Sequence, residues 1–233
     1  MIGLRDIRES LLQILFPHIC SGCGTDGISE GNTICIECLA RLPETNFHLF
    51  PNNPVEKIFW GRLPLVHATA HFYFSKESLM QRLMHQVKYK GNRELARLLG
   101  RMMGEKIFQS SHFSEVDALV PLPLFPAREK KRGYNQATLL CEGIRSVTGL
   151  QIMTGVITRP QHTETQTKKG RIERWKNMEG KFELVGPSRI EGRHVLLVDD
   201  VITTGATLEA CGLKLLEAAD TRLSIAALCV ASR

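Results

Sequence analysis

The segment HVLLVDDVITTGAT, residues 194–207, constrains what this chain can fold into more than any other. Four apolar residues, Val195 to Val198, have the composition of a strand buried on both faces, and Asp199 and Asp200 follow at its carboxyl end. A turn containing Thr203, Thr204, Gly205, Ala206 and Thr207 then opens a helix with Leu208, Cys211 and Leu215 inward. Ligands in open α/β sheets bind beyond the carboxyl ends of the strands. Backbone N–H groups of a small-residue turn, with a helix N-terminus behind them, attract an anion. Threonine hydroxyls donate further bonds, and glycine lets the backbone come close. Two carboxylates in contact with a phosphate would repel it, but they accept hydrogen bonds from a vicinal diol. A ribose 5-phosphate meets both demands, with its phosphate in the loop and its 2′- and 3′-hydroxyls on the acids. The bland alternative is a strand end, two solvated acids and a threonine cap. So many specified positions in one run argue against it.

The rest of the chain supplies a sheet for that strand. After Pro64, residues 68–74 (ATAHFYF) have strand composition, and Leu79, Leu83 and Val87 form a helical stripe. A second stripe holds Leu95, Leu98, Leu99, Met102 and Met103. Residues 116–122 read as a strand, 135–147 as a helix, 152–158 as a strand, 206–219 as a helix and 223–230 as a last strand. Residues 161–181 are polar, charged and without period, which predicts a long loop. Strands alternating with helices predict an α/β fold with a mostly parallel sheet covered on both faces. Three parts are expected: a cysteine-containing module at 1–43, a Pro/Asn-rich connecting segment at 44–64, and the main domain at 65–233.

Cys20, Cys23, Cys35 and Cys38 are spaced C-x2-C-x11-C-x2-C. Each pair can place two thiolates on one tetrahedral ion, and Gly22 and Gly24 suit turns that aim N–H groups at sulfur. A closed structural zinc site is favoured over an iron–sulfur cluster or a redox dithiol. His18 could substitute as a ligand, but a fourth cysteine makes that unnecessary. So small a module has little core of its own, so metal binding is expected to be coupled to its folding. Cys141, Cys211 and Cys229 fall in apolar patterns and read as core, and His85 and His162 as bystanders. No apolar run reaches membrane-spanning length, and the N-terminal apolar residues, interrupted by Asp6 and Glu9, read as an amphipathic helix rather than an export signal. The expected location is therefore the cytoplasm, where metal binding is favoured over disulfides.

The phosphate segment resembles the PRPP (5-phosphoribosyl-1-pyrophosphate) motif of the type I phosphoribosyltransferase family. The rest of the chain resembles that family's ComF/GntX branch, associated with bacterial competence for DNA uptake. The residues that carry this are the cysteine quartet, residues 120–137 (VPLPLFPAREKKRGYNQA), and residues 163–182 with Gln166, Arg171, Arg174 and Asn177. The resemblance implies a Mg²⁺-dependent transfer of phosphoribosyl to an unidentified acceptor, usually a nucleobase nitrogen, with release of pyrophosphate. It implies PRPP contacts from Asp199, Asp200 and residues 203–207, and catalytic roles for Asp199, Asp200, Arg132 and Arg171. The chain carries 30 basic and 24 acidic residues, with clusters at Arg128, Lys130, Lys131, Arg132 and at Lys168, Lys169, Arg171, Arg174, Lys176. The first lies where the family has its pyrophosphate loop, and Lys131 and Arg132 are candidates there, with the turn at 133–136 that follows shaping the site. The second lies where the family has its closing loop, with Lys168, Arg171 and Arg174 as candidates. Two departures stand out. Pro121, Pro123 and Pro126 replace small residues in the pyrophosphate loop, which removes N–H donors. Thr203 stands where the 6-oxopurine enzymes carry an acid, which disfavours hypoxanthine and guanine. A base-reading hood would have to come from residues before about 76, where Phe59, Trp60 and Phe72 are the aromatic candidates.

Other readings keep the pocket without the chemistry. The protein could be a competence accessory that contacts single-stranded DNA phosphates through its zinc module and basic loops and works with the uptake machinery, or a PRPP sensor. Aromatic residues are only 6% of the chain, which weighs against a dedicated single-strand binder.

Overall fold

The computed structural model describes residues 19–26, 28–29, 31–160 and 182–232. Helix α1 (Ile36–Ala40) follows the second cysteine pair, and α2 (Pro54–Phe59) precedes β1 (Ala68–Phe74). Helices α3 (Leu79–Tyr89) and α4 (Arg93–Gln109) lead to β2 (Ala118–Pro121). Next come α5 (Pro126–Arg132), α6 (Gln136–Thr148), β3 (Gln151–Ile152) and β4 (Ile157–Thr158). Past the undescribed stretch lie β5 (Glu183–Leu184), β6 (His194–Ile202), α7 (Ala206–Leu215) and β7 (Arg222–Ala231).

Five strands form a parallel sheet in the order β1-β7-β6-β2-β3, while β4 and β5 pair antiparallel beside it. Alternate residues of β6 enter opposite cores. Leu196 and Val198 join Leu83, Leu99, Leu140 and Ile144 on the face covered by α3, α4 and α6. Val195 and Leu197 join Phe59, Leu208, Cys211 and Leu215 on the face covered by α2 and α7. This two-core division is what an apolar run with period two demands when helices cover both sides.

Helices α4 and α6 approach closely because each is bare at the crossing. A Cβ at Gly100 would fall 2.3 Å from the Leu140 carbonyl oxygen, and one at Gly143 would fall 2.3 Å from the Arg97 carbonyl oxygen. The amino ends of the strands are pinned by polar side chains. Asp117 Oδ2 accepts from the His194 N–H at 2.7 Å, and Ser224 Oγ lies 2.9 Å from His194 Nε2. These buried contacts fix the register of β6 against its neighbours.

The connectivity sets the site. Helix α6 leaves β2 and covers one face on its way to β3; α7 leaves β6 and covers the other face on its way to β7. Between the carboxyl ends of β2 and β6 the two helices depart in opposite directions, which opens the crevice where α/β sheets bind ligands.

Several elements differ from the sequence expectation. Residues 152–158 are not one strand. Thr154 and Gly155 turn the chain, with φ of 71° at Gly155, so β3 ends the main sheet and β4 begins the small one. Helix α7 stops at Leu215 rather than at 219, because the chain must reverse, with φ of 53° at Asp220, to enter β7. Strand β6 continues past the aspartates to Ile202. The segment at 44–64, read as a connection, contains α2, capped by Asn53, whose Oδ1 accepts from Val55 and Glu56 N–H groups. It buries Phe47, Val55, Phe59 and Leu63 in the second core.

Candidate functional site

Strand β6 carries Asp199 and Asp200 into the crevice with opposite pleat, so they meet different neighbours. Asp199 Oδ1 accepts the N–H of Asp200 at 2.7 Å. Burial, reinforced by the neighbouring Asp200 charge, pushes the Asp199 carboxyl well above the ordinary carboxylate range, against the opposing pull of the Asp200 N–H, Lys88 and Arg159. Asp200 is 6% exposed and one of its oxygens has two partners: Oδ2 lies 2.8 Å from Lys88 Nζ and accepts from Gln136 Nε2 at 3.0 Å.

Beyond Ile202 the backbone turns through Thr203, Thr204 and Gly205 into α7. Thr203, Thr204 and Thr207 are exposed, and a cavity of about 50 Å³ is lined by Asp199 and residues 201–208. Gly205 is the N-cap of α7 with φ of 76° and no side-chain cap bond, while the Ala206 N–H lies 3.5 Å from Thr204 Oγ1. The N-terminus of a helix is where an anion finds backbone donors. A Cβ at Gly205 would meet Ile58 Cγ2 and Phe59 Cε1, each at 2.8 Å. Arg62 reaches the same loop from beyond α2, donating to the Thr204 carbonyl at 3.4 Å and pairing with Glu209.

On the other side of the acids lies a basic cleft of about 480 Å³, lined by Lys88, Tyr89, Gly91, Arg128, Lys131, Arg132 and Tyr134. The sequence GYNQ builds its wall. Gly133 ends α5 with φ of 79°, and the Tyr134 hydroxyl donates to the Val87 carbonyl of α3. Asn135 caps α6 through Ala137 N–H and donates to the Leu122 carbonyl at 2.9 Å. Gln136 accepts from Arg132 Nη1 while its Nε2 donates to Asp200. Arg132 also sits over the ring of Tyr89, 5.9 Å from its centroid. The prolines give this region a different form from a glycine-rich loop: Pro126 occupies the first turn of α5, and Lys130, Lys131 and Arg132 fill its last turn.

Of the residues expected at the site, Asp199, Asp200, Arg132 and residues 203–207 lie around this crevice, and Lys131 lines the cleft. Lys168, Arg171 and Arg174 lie outside the described residues, as do His18 and His162. Sequence reasoning missed Lys88, Arg62 and Arg159, and reached Gln136 only as part of the turn at 133–136. Arg159 stacks on Phe125, 3.6 Å from the ring centroid, with Phe182 at 5.2 Å. Its buried Nε has no partner among the described residues, and its charge is felt at Asp199. Of the aromatic candidates for a hood, Phe72 is buried in the first core, Phe59 lies beneath Gly205, and Trp60 is exposed.

At the amino-terminal end the sulfurs of Cys20, Cys23, Cys35 and Cys38 all lie within 4.8 Å of one another and could hold a metal ion. Zinc bonded to sulfur at about 2.3 Å places its ligands about 3.8 Å apart, and Cys23 and Cys35 sulfurs are 3.7 Å apart. The N–H of Cys35 points at Cys20 Sγ (3.2 Å), and that of Gly22 at the same sulfur (3.4 Å). The segment is tied to the sheet's first face by Arg82 Nε donating to the Gly22 carbonyl and Asn92 Nδ2 to Ser21 Oγ. Among the described residues no helix is long and apolar enough to cross a membrane.

A parallel α/β sheet with a diacid strand feeding a threonine–glycine turn defines a phosphoribosyltransferase-like domain, and the family model described as "Phosphoribosyl transferase domain" matches residues 146–233. The DNA utilization protein YhgH of Escherichia coli O157:H7 is 31% identical over 215 residues, covering 91% of this chain and 89% of that protein. Competence protein F of Haemophilus influenzae is 30% identical (83% of this chain, 76% of that protein), and competence protein ComFC of Bacillus subtilis 27% identical (79% and 78%). The chain belongs to the ComF family, with a type I phosphoribosyltransferase fold.

Proposed function

We propose that this protein binds PRPP in the crevice between β2 and β6 and transfers its phosphoribosyl group to an acceptor nitrogen. The observation that carries this reading is the arrangement along one crevice: a turn suited to phosphate, two acids, then a cleft lined by four cations. PRPP has that order of parts, with a 5′-phosphate, a diol and a pyrophosphate. Asp199 and Asp200 would hold the hydroxyls, residues 203–207 the 5′-phosphate, and Arg132 and Lys131 the pyrophosphate. Arg159, stacked on Phe125 and near enough for its charge to be felt at Asp199, would add a cation at the junction. The C1′–oxygen bond would break with its electron pair leaving on pyrophosphate. The acceptor nitrogen supplies the pair that forms the new bond to C1′ and then loses a proton. Fixed cations at the leaving group stabilise the charge that develops there. Mg²⁺ on the pyrophosphate oxygens would supply further neutralisation, and the aspartates offer the hard oxygen donors it prefers.

Four thiol sulfurs within 4.8 Å of one another, one pair at 3.7 Å, support a structural zinc ion that would organise the proposed 1–43 module. Residues 65–233 would form the phosphoribosyl domain, and 44–64 would join the two along the phosphate loop, where Phe59 and Arg62 touch it. The names of the relatives support a role in DNA uptake. A second reading, contact with single-stranded DNA on the same face, is favoured by Tyr89, 70% exposed beside Arg132 and Arg128.

Titration calorimetry with PRPP and Mg²⁺ tests the first reading. Asp199→Asn/Asp200→Asn is expected to weaken binding by about 10- to 100-fold, since the charge-assisted diol contact at Asp200 is lost and the contact at Asp199 is altered. Equal affinity in wild type and double variant would overturn it. Pyrophosphate release in an acceptor screen, absent with hypoxanthine, separates transfer from binding alone.

A further inference from the structure

We infer that Lys88 is a substrate-binding residue that exchanges Asp200 for pyrophosphate when ligand enters. This deepens the phosphoribosyl reading above and rests on it. Lys88 Nζ and Gln136 Nε2 both address the same oxygen, Asp200 Oδ2, at 2.8 and 3.0 Å. A carboxylate oxygen offers two lone pairs, so Oδ2 is saturated. A sugar hydroxyl that seeks this oxygen must displace one of the two donors.

Gln136 is the less able to move. It is buried at the start of α6 and held by Arg132 on its own carbonyl oxygen. Lys88 sits in the last turn of α3, its side chain is 25% exposed, and it already borders the basic cleft. Its four-carbon stem lets a compact charge swing without moving the helix. Breaking a buried ion pair is costly unless both charges find new partners. PRPP supplies both: hydroxyl donors replace the ammonium at Asp200, and the pyrophosphate receives the ammonium in the cleft. Lys88 would thereby couple recognition of the sugar to neutralisation of the leaving group.

The two halves of the ligand can be probed separately. Calorimetry with ribose 5-phosphate, inorganic pyrophosphate and PRPP, each with Mg²⁺, is run on wild type, Lys88→Met and Lys88→Arg. Lys88→Met is expected to weaken pyrophosphate and PRPP by about 10- to 100-fold, the loss of one charged hydrogen bond. Ribose 5-phosphate should bind as tightly as to wild type or more tightly, because its hydroxyls no longer compete with the ammonium. Lys88→Arg should recover part of the pyrophosphate affinity. Equal loss for sugar phosphate and pyrophosphate, or no loss for either, overturns the inference and assigns Lys88 to the fold alone. Wild type that binds neither ribose 5-phosphate nor PRPP removes the phosphoribosyl reading itself. Should Lys88→Met melt near the assay temperature, NMR of wild type with ¹³C-methylated lysines gives the same decision. The resonance missing in Lys88→Arg must shift when pyrophosphate is added, and a resonance that stays in place sinks the exchange.

Discussion

The turn at residues 203–207 and the cleft beside Arg128, Lys131 and Arg132 flank the same two aspartates, yet they are made of different material. The turn is backbone. Its capacity for an anion comes from helix N–H groups and a positive φ at Gly205, all within a few consecutive residues. The cleft is side chain. Its cations come from α5 and from the far end of α3, about forty residues earlier in the chain, and they are held by tyrosine, glutamine and asparagine contacts. A backbone site tolerates little substitution at its glycine but much at its rim. A side-chain site should fail by degrees.

The strongest way to break that contrast is Gly205→Val. Positive φ and a Cβ only 2.8 Å from Ile58 and Phe59 should distort the turn. Affinity for ribose 5-phosphate should fall on the order of 100-fold from strain and overlap combined, while pyrophosphate affinity changes little. Equal losses measured by calorimetry would mean that the two sites are not separable. A smaller effect, about 10-fold on pyrophosphate and little on ribose 5-phosphate, is expected for Arg132→Ala, because Lys131 and Arg128 remain.

The smallest effect concerns stability. Asp199 keeps its proton in the fold to higher pH than in the unfolded chain, owing first to burial and then to Asp200. The native state therefore binds more protons than the unfolded state above the ordinary aspartate pKa, and stability falls as pH rises through that window. Asp199→Asn removes this slope. Its Tm should equal that of wild type at the acidic end and exceed it by roughly 2–4 °C at the alkaline end, in scanning calorimetry without ligand. A variant that melts lower throughout would show that Asp199 supports the fold rather than burdening it.

The same contrast explains what the sequence makes legible. Strand β1 and the acid-bearing strand are readable because burial on both faces writes itself as a local apolar run. The phosphate turn is readable because its chemistry is contiguous. Lys88 is not: it lies beside the stripe of Leu83 and Val87 like any solvated lysine, and only the sheet brings it to Asp200. Arg159 likewise depends on Phe125 and Phe182, from separate segments. Helix α2 carried a signal that composition obscured, since Asn53, Pro54 and Glu56 form a helix start within a stretch that otherwise resembles linker. The break at Gly155 left a trace only in one glycine within an apolar run.

Helix α3 has two attachments that differ in kind. Near its start Arg82 holds the Gly22 carbonyl, and just past its end Asn92 holds Ser21, both beside the cysteine cluster; at its last turn Lys88 holds Asp200. One rod eleven residues long thus bears on both the cysteine cluster and Asp200. Two sites far apart in the sequence share a single helix as their common footing.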